Sequence, residues 1–217
     1  MEIDALLEVM KNRRHNGRVK ADPIPDAHVR KLVEAASWAP SGNNAQPWEF
    51  IVVKNPEIKA KLREIMEGPA RLPAASAAQA GPGTSHAPAV DPPVIIVVCG
   101  DVRLKDSYPE TVNRPEVFYS SLAAAIQNMH LAATALGLGS SWGTVREAAM
   151  EPLRKLLDLP DELEIVALVR VGYPQEVPTP KPRRPVEEAM HLDRYDRARL
   201  RDVRGFIQSY GKGWGRL

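Results

Sequence analysis

The stretch "APSGNNAQPWEF", residues 39–50, decides how the rest of the chain is read. Ahead of it, Pro25 and Asp26 open a helical pattern in which Val29, Leu32, Val33 and Ala36 share one face. That helix is predicted to end at Ala39, because the residue before a proline is pushed out of the helical region. Behind it, "FIVV" (50–53) reads as a short buried strand. Between the two lie small, polar and turn-forming residues, with three carboxamides (Asn43, Asn44, Gln46) and a bulky Trp48. A connection so rich in hydrogen-bonding groups joins a helix to a strand, and the chain around it mixes both element types.

Working outward, Ile3, Leu6, Leu7 and Met10 recur at helical spacing before the basic run "RRHNGRVK". Asn55 with Pro56 is a helix start, with Ile58, Leu62, Ile65 and Met66 on one face and Gly68 at the end. Residues 69–93, rich in Ala, Pro, Gly and Ser, have no sustained period and are expected to form a long loop or lid. "PVIIVVC" (93–99) is a second buried strand, and 115–136 is the longest helix, with a broad apolar face that must be covered. Residues 146–157 give a further helix and "EIVALVRVGYP" (164–174) a third strand. The segment "GLGSSWG" (137–143) is no dinucleotide fingerprint: its glycine spacing is one residue too long and it follows a helix, so Gly137 is read as a helix C-cap. Three strands among helices, without repeats, predict an α+β fold in a single domain spanning 1–217, with 186–217 as a C-terminal arm.

Composition narrows the function classes. The chain has 217 residues, 44% of them hydrophobic, enough for a sizeable core. Its formal net charge of +2 gives no general field for nucleic acid or a membrane surface. The lone Cys99 sits in an apolar strand, so no intrachain disulfide forms and a reducing, cytoplasmic setting is expected. No leader and no membrane-length apolar run is visible. The five histidines lack metal-ligand spacing, and there is no nucleophile elbow or paired-carboxylate motif, so no metal site is assigned and catalysis would need a bound cofactor.

Three segments offer binding chemistry. In "RRHNGR" (13–18), Arg13, Arg14 and Arg18 follow a helix, and guanidinium groups grip phosphate through charge-assisted bonds; a solvated basic turn is the alternative. In "PSGNNAQPW" (40–48), backbone and carboxamide groups match the donors and acceptors of a pyrimidine-like ring edge; a purely structural turn with Trp48 in the core is the alternative. In "PKPRRP" (180–185), Lys181 and Arg183 point to one side of an extended chain; the alternative is a basic linker or polyproline ligand.

The order of these motifs resembles the FMN-dependent nitroreductase family. The likeness runs from Leu6 to about Pro185: a helix into "RR", then "DPIP", "APSGNNAQPW", "FIVV", "SLAAAIQNMHLAATALGLGS", "VGYP" and "PKPRRP". The resemblance implies a central mixed, mainly antiparallel sheet flanked by helices in an intertwined homodimer, with two FMN sites at the subunit interface. It implies that Arg13, Arg14 and His15 hold the phosphate and ribityl end, with Gly17 beside them, and that Lys181 and Arg183 close on the phosphate. Pro40, Ser41, Gly42 and Asn44 would reach the flavin from the other chain, leaving their polar groups without need of partners in their own, and Gly143 and Thr144 would lie beside the isoalloxazine ring. Two positions depart from the family pattern: His15 replaces a usual serine, and Gly17 a usual Lys or Arg near the flavin pyrimidine, a role that Arg18 is positioned to take over.

The activity implied is hydride transfer from NAD(P)H to FMN, then reduction of a small-molecule acceptor (nitroaromatic, quinone or activated alkene) at the same site in a ping-pong cycle. The same-fold alternatives are a reductive dehalogenase and a flavin-fragmenting enzyme, for which the 69–93 segment would be a substrate-contacting insert. A non-catalytic FMN-binding protein is the alternative from another class, made conceivable by Gly17.

Overall fold

The computed structural model describes residues 2–67 and 92–210, with side chains as far as residue 206. Two units are distinguished, one holding the described residues 2–67 and 92–178, the other residues 179–210. The loop expected over 69–93 falls almost wholly outside the described residues.

In the first unit the helices are α1 (Ile3–Asn12), α2 (Asp26–Ser37), α3 (Pro56–Glu67), α4 (Arg103–Ser107), α5 (Pro115–Ala135) and α6 (Glu147–Leu156). Local chemistry sets several of their ends. Asn55 Oδ1 accepts from the backbone N–H groups of Glu57 and Ile58 at 2.8 and 3.1 Å, satisfying donors that open α3. At the other end of α5, Gly137 takes φ +70° while its N–H bonds Thr134 O at 3.0 Å and Leu138 N–H bonds Ala133 O at 2.8 Å. That paired closure is a Schellman cap, so the C-cap expectation for Gly137 holds. Helix α2 stops at Ser37, two residues before the expected Ala39.

The sheet has four strands, β1 (Trp48–Val53), β2 (Val94–Asp101), β3 (Gly139–Gly143) and β4 (Leu163–Gly172), in spatial order β1-β2-β4-β3. All three pairings are antiparallel, in keeping with the mainly antiparallel sheet that the resemblance implies, and a parallel element is present as an isolated bridge between His15 and Ser140. The expected count of three strands is corrected to four by β3, "GSSWG". Without a β-branched residue it has no intrinsic strand signal, and it is a strand because β4 pairs along it.

Both faces of the sheet are covered, which is why β2 is buried along nearly its whole length and reads as an unbroken apolar run. On one face Val94, Ile96, Val98, Ala167, Val169 and Val171 meet α2 and α5; on the other Ile95, Val97, Cys99, Ile165 and Leu168 meet α3 and α6. A register shift between Val98 and Cys99 lets Ile165 and Leu168, of opposite parity in β4, share the second face. Helix α5 brings the largest side chains to the first core: Phe118, Leu122, Ile126 and Met129 are fully buried, each worth ~1.5–3 kcal/mol. Helix α1 behaves otherwise, with Ile3, Leu6, Leu7 and Met10 all exposed.

The second unit is short: a run over 179–185 without regular secondary structure, α7 (Val186–Ala189), a 3-10 turn (Arg197–Arg199) and α8 (Val203–Tyr210). Asp196 caps the turn by accepting from Ala198 N–H at 3.0 Å. Among the described residues no helix is long and apolar enough to cross a membrane.

Candidate functional site

The basic run after α1 is laid along the outer edge of β3. Asn16 N–H donates to Ser140 O at 2.8 Å, and the Asn16 side chain, itself buried, donates to Glu176 O at 2.8 Å and accepts from Arg18 N–H at 3.0 Å. Further on, Gln175 N–H bonds Arg18 O at 3.0 Å and Lys20 N–H bonds Tyr173 O at 2.7 Å. Residues 13–20 thus form an arm sewn to the edge strand and to the chain leaving β4. Gly139 permits the approach: a Cβ there would stand 3.3 Å from the Asn16 side chain.

This anchoring brings Arg13, Arg14 and His15 together at one end of β3. Arg14 donates to the backbone carbonyls of Lys11 and Arg13, which turns its guanidinium back along the arm, and its Nε is buried without a hydrogen-bond partner. Gly17 is half-buried, and a Cβ placed on it would meet no atom within 4 Å. The neighbouring Arg18, suggested as a replacement for the missing cation at Gly17, is held by an ion pair to Glu176 at 3.0 Å. Its charge is thus opposed by a carboxylate in an exposed pair.

Beneath the arm, His130 of α5 is buried and its Nδ1 lies 2.7 Å from Ser140 Oγ. Burial, and next the charges of Arg13 and His15, push the His130 imidazole down to about 4. The ring is therefore neutral at physiological pH. Trp142, two residues along β3 on the same face, has its ring centre 6.4 Å from that of His130. Gly143 and Thr144 follow at the end of the strand; Thr144 is exposed, and a Cβ on Gly143 would press on Leu168 O at 3.2 Å.

Pro40, Ser41, Gly42 and Asn44 belong to a different place. Their loop makes a 3-10 turn (Gly42–Asn44) with Asn43, Asn44 and Gln46 all in left-handed conformations, φ 51°, 54° and 48°. Ser41 closes it, its Oγ accepting from Gln46 N–H at 3.0 Å and its carbonyl from Asn44 N–H at 3.0 Å. The loop leans on the first half of α5: a Cβ on Gly42 would fall 2.5 Å from Val117 Cγ1, and Gly42 N–H faces Ser121 Oγ at 3.4 Å. Part of the loop therefore does pair within its own chain, while the Asn43 and Asn44 residues stay exposed; Trp48 is core, as a structural turn requires.

One chain does not unite these groups. The loop touches α5 at Val117 and Ser121, the arm communicates with it at His130, and nine residues of helix separate Ser121 from His130, about 14 Å. The loop also precedes β1, at the sheet edge opposite β3. Lys181 and Arg183 lie in the irregular run of the second unit, where Arg183 donates to Lys181 O at 3.3 Å.

The donor set at the β3 edge suits a phosphate group, such as the one a mononucleotide carries. Two arginines and a histidine follow one another there, Arg14 with an orphaned buried N–H, and such groups suit a phosphate better than any neutral ligand.

A family model described as the nitroreductase family matches residues 10–173. The chain belongs to the nitroreductase family. It is 37% identical over 166 residues to a protein of Archaeoglobus fulgidus whose name pairs NADH dehydrogenase with NAD(P)H nitroreductase, covering 75% of this chain and 82% of that one. It is 30% identical over 203 residues to the iodotyrosine deiodinase of Nematostella vectensis, covering 84% and 73%. Among solved structures, a Parabacteroides distasonis protein named like that of Archaeoglobus superposes with a TM-score of 0.67 at 29% identity, covering 88% of this chain and 99% of that one. As a member of that family the chain is an oxidoreductase, and its α+β fold is the family's.

Sequence reasoning missed Asn16, Ser140, His130 and Glu176. Asn16 and Ser140 sit in motifs that were read for their arginines and glycines. His130 was hidden by falling within the apolar stripe of α5, where a polar residue in phase with Ile126, Met129 and Ala133 is itself the available signal.

Proposed function

We propose that this chain binds FMN, takes hydride from NAD(P)H and delivers electrons to a small organic acceptor, in a homodimer whose two sites are each built from both copies. The observation that carries the reading is the separation of the half-sites on one chain. Arg13, Arg14 and His15 stand at one sheet edge, and Pro40, Ser41, Gly42 and Asn44 at the other, so a second copy is needed to face them across one ligand. Helix α1 supports the same reading, because an apolar stripe of four exposed residues leading straight into the arm calls for a covering surface.

On this reading Arg13 and Arg14 bind the terminal phosphate, with Lys181 and Arg183 closing on it, and His15 and Gly17 flank the ribityl chain. Gly143 and Thr144 orient the ring, and the loop of the second copy excludes water and fixes the ring's polar edge. Bound FMN supplies a two-electron carrier whose N5 accepts hydride. One site serves donor and acceptor in turn, so the kinetics are ping-pong, with nitroaromatics, quinones or activated alkenes as acceptors. The whole chain, 1–217, acts as one domain, its residues 186–217 laid over the second copy.

The deiodinase relative favours a second reading, reductive removal of halide from an aromatic ring at the same site. Both are tested on the yellow purified protein under anaerobic conditions. NADH or NADPH is expected to bleach the flavin, and a nitroaromatic or quinone to restore its colour; restoration by a haloaromatic alone favours the second reading. Flavin that stays oxidised with both nicotinamides overturns catalysis and leaves a binding protein.

A further inference from the structure

The arm is mounted on a strand with little of its own to hold it in place. Strand β3 is an edge strand of five residues whose first three are Gly139, Ser140 and Ser141, so apolar side chains cannot seat that end of it. What the structure offers instead is a polar clasp. His130 occupies a core position of α5, between Ile126, Met129 and Ala133, where a hydrocarbon would cost nothing to bury. Its Nδ1 meets Ser140 Oγ at 2.7 Å, and the carbonyl of that same Ser140 receives Asn16 N–H at 2.8 Å. His15 bridges to Ser140 as well. One serine thus joins the interior of the helix to the backbone that carries Arg13, Arg14 and His15. A buried polar pair is retained against its desolvation cost where it specifies one register. A strand that slips by one residue turns its side chains to the other face.

We propose that His130 is a positioning residue for the phosphate arm, acting through Ser140 to fix the register of β3 and so the placement of Arg13, Arg14 and His15; this rests on the FMN reading above. The role is specific to the phosphate end of the ligand. Loss of the clasp lowers affinity for FMN and spares riboflavin, which has the same ring and ribityl chain but no phosphate.

The test is a fluorescence titration of the flavin-stripped full chain with FMN and with riboflavin, for the parent, His130→Phe, Ser140→Ala and His130→Asn. The parent is expected to prefer FMN. In His130→Phe and Ser140→Ala that preference should fall by roughly tenfold or more, the scale of one charge-assisted hydrogen bond. His130→Asn, whose amide stands where Nδ1 stood, should keep it. A preference unchanged in the Phe and Ala variants overturns the proposal, as does equal weakening of both flavins, which marks a purely structural residue. If His130→Phe does not fold, Ser140→Ala decides alone. A parent that binds both flavins equally overturns the phosphate site itself, and the role of His130 with it.

Discussion

Residues 13–18 and residues 40–46 are the two polar stretches that the chain offers to a ligand, and they keep their shapes by different means. In the arm, the Asn16 side chain alone serves two backbone groups, and the histidine below clasps the strand it lies on. In the loop, shape comes from the backbone: three non-glycine residues in the left-handed region, closed by Ser41 and wedged on Val117 through a glycine. A buried side chain joins backbone bonds in holding the arm to its neighbours; backbone geometry holds the loop and leaves its carboxamides exposed. Mutations should therefore be costly at buried polar side chains of the first and mild at exposed side chains of the second.

The largest expected effect is on the pH dependence of stability. His130 is held near 4 in the folded chain, whereas in the unfolded chain it titrates near its ordinary 6.5. As pH falls through 6.5 the unfolded state takes up the proton first. Stability is thus full above 6.5, declines between 6.5 and about 4, and is flat below as far as this group is concerned; the loss is roughly 3 kcal/mol. Denaturant unfolding at pH 7 and 4.5 should show this decline in the parent and a shallower one in His130→Asn. Equal declines would remove the buried neutral histidine from the comparison.

Next in size is Asn16→Ala, which removes the partner of Glu176 O and Arg18 N–H in a partly buried setting and should cost about 1–2 kcal/mol. The denaturation midpoint reads it directly. A shift too small to resolve would mean that the arm is held by its backbone, like the loop.

Helix ends and buried strands were legible because their causes are local. Asn55 with Pro56, Gly137 after the last apolar residue of α5, and the unbroken run of β2 each carry their physics within a few residues. Strand β3 was not legible, since its pairing partners are β4 and the arm, over 20 and 120 residues away. The loop's polarity and its turn character could be read, but not that Gln46 would join Asn43 and Asn44 in the left-handed region, nor that Gly42 would meet Val117, 75 residues away. The arginines of the arm could be seen in sequence, while the residues that aim them, Asn16, Ser140 and His130, come from three separate segments.

The smallest effect is expected at Gln46, an amide without the local hydrogen-bonding advantage that lets Asn tolerate φ 48°. Gln46→Gly relieves that strain at some cost in unfolded-chain entropy, for a net gain of up to about 1 kcal/mol. Thermal unfolding of parent and variant checks it. A loss of 1 kcal/mol or more would show that the Gln46 side chain, which donates to Asn44 O at 3.3 Å, supports the loop as side chains support the arm.

Cys99 lies fully inside the sheet, and burial, then the charge of Glu49, with Arg154 opposing, push its thiol up to about 12. Such a sulfur has almost no thiolate at neutral pH and no path to a reagent while strands β1 and β4 flank it. As the sole cysteine, it makes alkylation of this chain a clock for global opening. Fraying of the arm or flexing of the loop leaves that clock silent; it advances when the central strands part.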